Sequence, residues 1–221
     1  MSTVPLVSVI VPVFNQERFL GRCLRSLVEQ DFPRGDYEVV VVDDGSTDGT
    51  GQILDLFSEE VRVLRNEVNS GLPAALNRGI RSSCSLLTVR VDSDDYVNAE
   101  FIRVLFTFLA QNRHMDAVAC DYFLVDDDEI VLERRSCEDY PIACGIMFRT
   151  DQLIEIGLYD EEFLLHEERD LRLRFIEQHS IHRIEAPLYR YRRHTGNITN
   201  DAEAMAHHHA MLVEKHGEQH A

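Results

Sequence analysis

The chain has 221 residues, 44% of them hydrophobic, which is enough for one large α/β domain or two small ones. Its formal net charge of −17 at pH 7 argues against a general nucleic-acid-binding protein, because such a protein needs a basic face against phosphate. No apolar run approaches the roughly 20 residues that a membrane helix needs, so the sequence predicts no membrane span.

Apolar strands and amphipathic helical segments alternate through the first half. The β-branched stretch VSVIVPVF from Val7 predicts a strand covered on both faces. Apolar residues at helical spacing from Phe19 to Leu27 predict a helix, which Asn15 is placed to cap. YEVVVVDD, VRVLR and LLTVRV predict further strands, with one helix after GSTDGT and another over 72–80. This alternation predicts a mostly parallel sheet, whose ligands bind beyond the carboxyl ends of the strands.

The second half is less regular, but it has no linker or internal repeat, which favours a single domain. The sequence predicts an apolar helix over 98–111, a strand at DAVACDYFLV, and a short strand at CGIMFR before a helix over 150–156. FLLHEERDLRLRFIEQH predicts a helix with acids at its start, and IHRIEAPLYRYRRH predicts one or two final strands. The tail over 201–221 is expected to be a peripheral helix or partly disordered, with His207 to His209 on a solvated surface.

Two acidic clusters follow predicted strands. Asp43 and Asp44 follow the second strand, and Asp92, Asp94 and Asp95 follow the fourth, so a parallel sheet brings both clusters to one edge. Each cluster alone also fits a solvated turn that caps the next helix. The first cluster can accept hydrogen bonds from a base or a ribose, and the second can hold Mg²⁺ or Mn²⁺ through carboxylate oxygens. Their shared position favours a ligand site.

The chain resembles the family 2 glycosyltransferases of the GT-A type, which use nucleotide-diphospho-sugars. The resemblance covers about residues 6–200 and rests on VSVIVPVFN, EVVVVDDGSTDGT, NSGLPAALNRGI, VRVDSDD, HEERDLRLRF and YRRHTGNIT. It implies an α/β, Rossmann-like GT-A domain over 1–200, with a central mostly parallel sheet flanked by helices and a small antiparallel C-terminal part. The nucleotide-binding half is expected over about 6–96, and the acceptor and catalytic half over about 97–200.

The resemblance implies a nucleotide site at the first strand ends. Asp44 is expected to pair with the base, usually uracil, and Gly71 begins a segment under the ribose and diphosphate. The implied nucleotide-binding residues are Pro12, Val13, Phe14, Asn15, Glu17, Asp43, Asp44, Gly71, Asn77, Asp92 and Ser93. Leu76 stands where many members have an arginine, so the diphosphate must rely on the metal or on another cation, such as Arg78 or Arg81.

A metal site is implied by the DxD-like segment RVDSDD. Asp94 is the expected principal ligand of Mn²⁺ or Mg²⁺, with Asp95 and Asp92 beside it. In the family the equivalent of His194 completes the metal site or touches the diphosphate.

The catalytic base is expected in the HEERD segment. It takes the proton from the acceptor hydroxyl as that hydroxyl attacks the anomeric carbon. Glu168 aligns with the aspartate of the family, and Glu167 and Asp170 are the alternatives. A capped helix with the pair Asp170–Arg174 accounts for the polar positions, but not for two adjacent acids before them.

The predicted function is therefore the inverting, metal-dependent transfer of a sugar from a UDP-linked or similar donor to a saccharide or lipid-linked hydroxyl acceptor. An inactive sugar-nucleotide-binding module is the main alternative. A nucleotidyltransferase is less favoured, because the first strand is followed by PVFNQERF rather than a Gly-rich basic loop. The five cysteines are odd in number and lack CxxC, which is typical of reduced thiols in a cytoplasmic protein. Peripheral association with the inner membrane and the oligomeric state stay open.

Overall fold

A mixed nine-stranded β-sheet runs through the described part of the chain, residues 4–194 and 202–217 of a computed structural model. The strands are β1 (Val7–Val13), β2 (Tyr37–Asp43), β3 (Arg62–Arg65), β4 (Leu87–Arg90), β5 (Tyr96–Val97), β6 (Ala117–Val125), β7 (Val131–Arg135), β8 (Ile146–Arg149) and β9 (Ile181–Arg192). The helices are α1 (Leu20–Val28), α2 (Thr50–Leu56), α3 (Leu72–Ser82), α4 (Phe101–Gln111), α5 (Thr150–Glu155), α6 (Glu167–Ile176) and α7 (Ala202–His216).

The first four strands form the parallel part of the sheet in the order β3-β2-β1-β4. β1 pairs with both β2 and β4, so the carboxyl ends of these three strands lie side by side. The strand order reverses at β1, and this position in a parallel sheet is where ligands bind. The predicted parallel half is confirmed.

The remaining strands make the sheet mixed. β8 lies antiparallel between β4 and β6, which leaves β4 and β6 pointing in the same direction. β9 runs parallel to β6, and the hairpin strand β7 and the short β5 add antiparallel edges. The antiparallel part predicted for the second half therefore begins with β8, inside the sheet rather than only at its end.

Helices cover both faces of the sheet, because the buried strands are apolar on both sides. Val9 and Val11 of β1 pack in one cluster with Leu24 of α1 and Phe101 of α4. Ile10 faces the opposite way and packs with the apolar residues of α3, α5 and α6, including Leu76, Ile80, Leu153 and Phe175. The flanking helices are thus held by two separate cores.

The tail helix α7 is docked on the domain. Leu212 is fully buried, and Lys215 and His216 reach Asp170 of α6. His207 and His209 are exposed as expected, but His208 is buried, because successive residues of a helix point in different directions. The expected boundary between 200 and 201 lies outside the described residues, as do residues 195–199 of the YRRHTGNIT motif.

Two helix starts differ from the expectation. Asn15 does not cap α1, which begins only at Leu20; its Oδ1 instead accepts a hydrogen bond from Thr47 N at 2.8 Å. The apolar helix begins at Phe101, because Asn98 Oδ1 accepts a hydrogen bond from Glu100 N and forms a turn before it. Across the described ranges, no helix is both long and apolar enough to cross a membrane.

Candidate active site

A cavity of about 680 Å³ opens beyond the carboxyl ends of β1, β2 and β4. The predicted site residues that line it are Pro12, Val13, Phe14, Asn15, Asp44, Gly71, Asp92, Ser93, Asp94, Asp95, Glu167 and Glu168. Residues far apart in sequence meet here because the strand ends are adjacent and the start of α6 faces them. The structure therefore brings the two acidic clusters and the HEERD segment to one place.

Two predicted nucleotide residues support the turn after β2 from outside the cavity. Glu17 Oε2 accepts a hydrogen bond from Gly49 N at 2.7 Å, next to the start of α2. Asp43 Oδ1 accepts one from Ser46 N at 3.0 Å. Asn15 does line the cavity, with a left-handed φ of 52° that its side-chain bond to the same turn stabilises. Glu17 and Asp43 thus shape the site without facing it.

Asp44 is the acid of this turn that faces the cavity, and it is only 2% exposed. Its Oδ1 accepts hydrogen bonds from Asn66 Nδ2 and Ser70 Oγ, and its Oδ2 accepts one from Gly71 N at 2.8 Å. Gly71 has a φ of 94°, and a Cβ there would lie 2.8 Å from Leu164 Cδ2, so glycine is required. The Asp44 carboxylate therefore fixes the loop before α3 against the end of β2.

Asn77 lies in the interior and not in the cavity. Its side-chain amide donates to Tyr159 O at 2.8 Å, and its Oδ1 accepts from Tyr159 N at 2.9 Å. Leu76 is fully buried beside it. Asn77 thus clamps α3 to the segment before α6. The structure does not bring it to a nucleotide in the cavity.

Asp95 is the buried acid of the DSDD segment, at 2% exposure. Its Oδ2 accepts a hydrogen bond from Tyr189 Oη at 2.7 Å, and its Oδ1 accepts one from Arg192 N at 2.7 Å. Burial, together with the neighbouring charges of Asp94 and Asp92, raises the pKa of Asp95 well above its usual range. Asp95 is thus engaged by β9 on both oxygens.

Asp92 and Asp94 are the more accessible acids, with side chains 22% and 19% exposed. Asp94 Oδ2 lies 2.9 Å from His194 Nε2, while no residue of 4–194 or 202–217 donates a hydrogen bond to Oδ1. His194 itself does not line the cavity; its ring packs on Phe19 at 4.9 Å. Asp94 therefore presents an oxygen to the cavity from a position that His194 supports.

The donor set suits a hard divalent cation. Carboxylate oxygens are the ligands that Mg²⁺ and Mn²⁺ prefer, and three acids gathered at one loop raise each other's cost of ionisation unless a cation lies among them. Ligand atoms of Asp92, Asp95 and Cys144 lie within 4.8 Å of one another. Asp94 is not in this set, but it lines the same cavity and its Oδ1 accepts no hydrogen bond from the described residues, whereas Arg90 bonds both oxygens of Asp92. The residues present fit such an ion.

Arg90, on β4, joins the acidic loop to the start of α6. Its Nε lies 2.6 Å from Asp92 Oδ1 and its Nη1 lies 2.9 Å from Glu167 Oε1. Burial alone would lower the pKa of Arg90, but Asp92 and Glu167 outweigh burial and raise it. Of the described residues that line the cavity, Arg90 is the sole arginine or lysine, and both acids already engage it. Arg78 and Arg81 do not line the cavity.

The two glutamates at the start of α6 have different environments. Glu167 is 4% exposed, and burial raises its pKa to about 7 although Arg90 beside it acts in the opposite direction. Glu168 is half-buried, lines the cavity, and has no hydrogen bond or ion pair with the described residues. The left-handed φ of 60° at His166 turns the chain into the helix at this point. Of these two glutamates, Glu168 is therefore the one whose carboxylate is available to a ligand.

Asp170 lies outside the cavity and is fully buried. Arg174, Lys215 and His216 all bond its carboxylate, and these hydrogen bonds lower its pKa against the effect of burial. Asp170 thus anchors α7 and the last turn of α6, and the structure does not place it beside Glu168 in the cavity.

Three residues contribute to the site without being expected there from the sequence. Arg90 lies inside a buried strand directly before three acids. An arginine in this unusual position indicates a charged partner nearby, so it could have been expected in the site. Tyr189 Oη bonds both Asp95 and the backbone N–H of Asp92, and Met205 of α7 lines the cavity. Neither has a local sequence signal, because each reaches the site only through tertiary packing.

A nine-stranded mixed sheet with a cavity lined by acids at the strand reversal defines the GT-A class of nucleotide-sugar-binding folds. Residues 8–195 match the family model described as Glycosyl transferase family 2. Because this match covers most of the chain, the protein belongs to glycosyl transferase family 2.

Curated relatives support this membership. The chain is 40% identical over 114 residues to the poly(ribitol-phosphate) beta-N-acetylglucosaminyltransferase TarS of Staphylococcus aureus, covering 50% of this chain and 20% of TarS. It is 39% identical over 111 residues to the poly(ribitol-phosphate) beta-glucosyltransferase of Bacillus spizizenii, covering 48% of this chain and 18% of the relative. Glycosyltransferase GlyG of Streptococcus pneumoniae is 28% identical over 226 residues, covering 87% of this chain and 72% of GlyG. The chain thus spans about a fifth of the length of the first two relatives.

Solved structures show the same fold. Residues 1–349 of S. aureus TarS in complex with UDP-GlcNAc superpose with a TM-score of 0.77 at 25% identity, over 94% of this chain and 66% of that one. The mannosyltransferase PcManGT of Pyrobaculum calidifontis, in complex with GDP-Man and Mn²⁺, gives a TM-score of 0.74 at 20% identity, over 96% of this chain and 65% of that one. The predicted GT-A fold is confirmed.

Proposed function

We propose that the protein transfers a sugar from a nucleotide-diphosphate donor, UDP-linked, to a hydroxyl acceptor in glycoconjugate or polysaccharide synthesis, with inversion at the anomeric carbon. The observation that carries the proposal is the cavity itself, which is lined both by Asp94 and by the accessible carboxylate of Glu168. UDP, UDP-GlcNAc and GDP-Man occupy structures of the same fold, and two relatives are named as acting on poly(ribitol-phosphate). The wider function rests on these likenesses, because the chain spans only part of most relatives.

The nucleotide is assigned to the strand ends. Pro12 to Asn15, Asp44 and Gly71 all line the cavity, and Gly71, which has no side chain, would let a ribose or phosphate approach the backbone. We place the donor half at residues 6–96 and the acceptor half from 97 to about 200. The free thiols of the described fold, four of them buried, agree with the cytoplasmic location proposed.

A divalent cation, Mn²⁺ or Mg²⁺, would be held by Asp94 and Asp92 and would stabilise the charge that develops on the departing diphosphate. The charges of the residues that line the cavity support the requirement for a divalent cation. The cavity holds several acids, and its sole described arginine is already shared between Asp92 and Glu167. No uncommitted arginine or lysine of the described lining remains to neutralise a diphosphate.

Glu168 is proposed as the base. Its carboxylate would accept the proton of the acceptor hydroxyl as that oxygen forms a bond to the anomeric carbon and the bond to the diphosphate breaks. Glu167 is buried against Arg90 and orients the start of α6, so it positions its neighbour.

Nucleotide titration tests the donor site. UDP, GDP, CDP and dTDP are titrated calorimetrically with and without Mn²⁺ against the wild type and Asp94→Ala. We expect UDP to bind only with the metal and Asp94→Ala to weaken it at least a hundredfold, because the cavity then loses its open metal ligand. Asp127→Ala, which removes a half-buried acid paired with Arg18, is the matched control and should bind UDP like the wild type. Equal metal-free binding to wild type and Asp94→Ala would contradict the proposal.

The alternative is an inactive sugar-nucleotide-binding module. It predicts the same titration but no product, so incubation with UDP-sugars and acceptor followed by mass spectrometry separates the two. Leu76 favours this alternative, because it is a buried leucine at a position where many members of the family carry an arginine.

A further inference from the structure

A second cavity, of about 260 Å³, lies next to the first and is lined by residues of β8 and α6. The two cavities share Glu168 and the segment 141–143, so they meet at the proposed base. We call the second one the arginine cavity, because Arg169 and Arg172 line it. Its other walls are mostly apolar, with Ile146, Phe148, Leu171 and Ile181 among them. Its volume lies just below the about 300–1,000 Å³ typical of pockets for whole ligands, which suits a single small group.

The arginines of this cavity have no acidic partner. No hydrogen bond or ion pair joins the side chain of Arg169 or Arg172 to any described residue, although acids outnumber Lys and Arg by 39 to 22 in the chain. Glu168 precedes Arg172 by one helical turn, yet the two do not pair. Many other arginines of the domain are paired, as Arg90, Arg174 and Arg183 are. Arg169 and Arg172 thus bring two guanidinium groups without an acidic partner among the described residues to one cavity.

Partial burial of these arginines costs free energy of hydration. Arg172 is half-buried, and burial lowers its pKa, because a guanidinium loses hydration there without gaining a counter-ion. An oxyanion bound between Arg169 and Arg172 would restore the lost interactions, since the planar guanidinium matches phosphate and carboxylate oxygens in bidentate geometry. The cavity is thus shaped and charged for an anion.

We propose that the arginine cavity binds an anionic group, a phosphate or a carboxylate, of the acceptor, adjacent to the hydroxyl that reaches Glu168. This inference rests on the proposed transferase function and specifies its acceptor as an acidic one. Residues four apart lie about 5–6 Å from each other on a helix, so an anion at Arg172 stands roughly one helical turn from Glu168. The charged group and the reacting hydroxyl therefore belong to the same or adjacent units of the acceptor, as in a polyol phosphate or a uronic acid.

Binding of small anionic probes tests the proposal without a known acceptor. Glycerol 3-phosphate, glucuronate and neutral glycerol are titrated calorimetrically against the full chain with UDP and Mn²⁺ present. We expect at least one anionic probe to bind and glycerol not to bind at the same concentrations. Arg169→Gln and Arg172→Gln should each weaken the anion at least tenfold, and whichever of phosphate or carboxylate binds identifies the source of the charge.

The control variants distinguish the acceptor site from the donor site. Arg113→Gln removes an exposed arginine elsewhere and should leave anion binding unchanged. Asp94→Ala should lose UDP but keep the anion, whereas both arginine variants should keep UDP. If UDP binds but no anionic probe does, or if the arginine variants bind the anion like Arg113→Gln, the acidic-acceptor inference is wrong and the transferase proposal stands. If the wild type binds no nucleotide while the anion still binds, the donor proposal fails instead.

Discussion

At the scale of single residues, the site assigns different tasks to chemically similar acids through their surroundings. Asp44 and Asp95 accept hydrogen bonds on both oxygens and hold loops in place, whereas Asp94 and Glu168 keep oxygens directed at the cavity. Glu167 differs from its neighbour by burial against Arg90. Accessibility and existing partners, rather than residue type, thus separate the acids that support the site from those that can act in it.

The base assignment leads to a kinetic prediction. Glu168→Gln keeps the shape of the side chain but cannot accept a proton, so kcat should fall by about 10²–10⁴-fold in a sugar-transfer assay with the donor identified by titration. UDP affinity should stay within twofold of the wild type, because Glu168 bonds none of the residues assigned to the nucleotide.

Glu177→Gln is the matched control for this experiment. Glu177 is an exposed glutamate just after α6, so kcat should be unchanged. If Glu168→Gln retains wild-type turnover, Glu168 is not the base and Glu167 becomes the candidate.

At the scale of elements, α3 approaches the sheet closely through Gly79. A Cβ built on Gly79 would lie 2.6 Å from Ile10 Cγ2 and 3.1 Å from Val42 Cγ2, atoms on the β-branched side chains of β1 and β2. Because these strands end at the cavity, the position of α3 also sets the position of the loop that carries Gly71.

We therefore expect Gly79→Ala to destabilise the fold by about 1–3 kcal/mol, since a methyl group is forced into a packed interface. Gly51→Ala is the control, because a Cβ at this helical glycine of α2 meets nothing within 4 Å. It should stabilise the fold by up to about 1 kcal/mol through helix propensity. Urea denaturation followed by circular dichroism measures both, and equal effects of the two substitutions would rule out the close-packing explanation.

At the scale of the whole molecule, buried ionic contacts join parts of the chain that are distant in sequence. Arg90 connects β4 to α6, and Asp170 connects α6 to α7. Cavity and tail are therefore coupled through α6, whose first turn carries both Glu167 and Glu168.

The buried Glu167 makes stability depend on pH. Its pKa of about 7 in the folded protein exceeds the ordinary value of 4.5, so the folded state holds the proton more tightly than the unfolded state. The resulting stabilisation is fully present below pH 4.5 and is lost as the pH rises through 7, about 3 kcal/mol in all. Glu167→Gln cannot titrate, so the unfolding free energy of wild type minus variant should fall by that amount over this range.

Urea denaturation of the wild type and Glu167→Gln, at half-unit steps from pH 4.5 to 8, measures this difference in unfolding free energy. Acids with lowered pKa values, such as Asp121 and Asp170, lose their stabilisation as the pH falls, but they contribute equally to both proteins and cancel in the difference. A difference that is constant or rises with pH would show that Glu167 is ionised in the folded protein throughout.

The alternation of strands and helices, the parallel half of the sheet and the position of both acidic clusters at one edge can all be predicted from the sequence. These features follow from local periodicity and from the fact that parallel strands bring their carboxyl ends together. HEERD was recognised as a helix start with acids in its first turn, and α6 does begin at Glu167.

Which of the acids face the cavity depends on how the helices and strands pack together. The sequence predicts four site residues whose hydrogen-bond or ion-pair partners lie outside the cavity in the structure. They are Glu17, Asp43, Asn77 and Asp170. In the same way Arg90 entered the site, and α7 docked on α6, through contacts between residues far apart in sequence. The physical reason is that periodicity encodes which residues are buried, whereas the partner of a buried charge depends on which element packs against it.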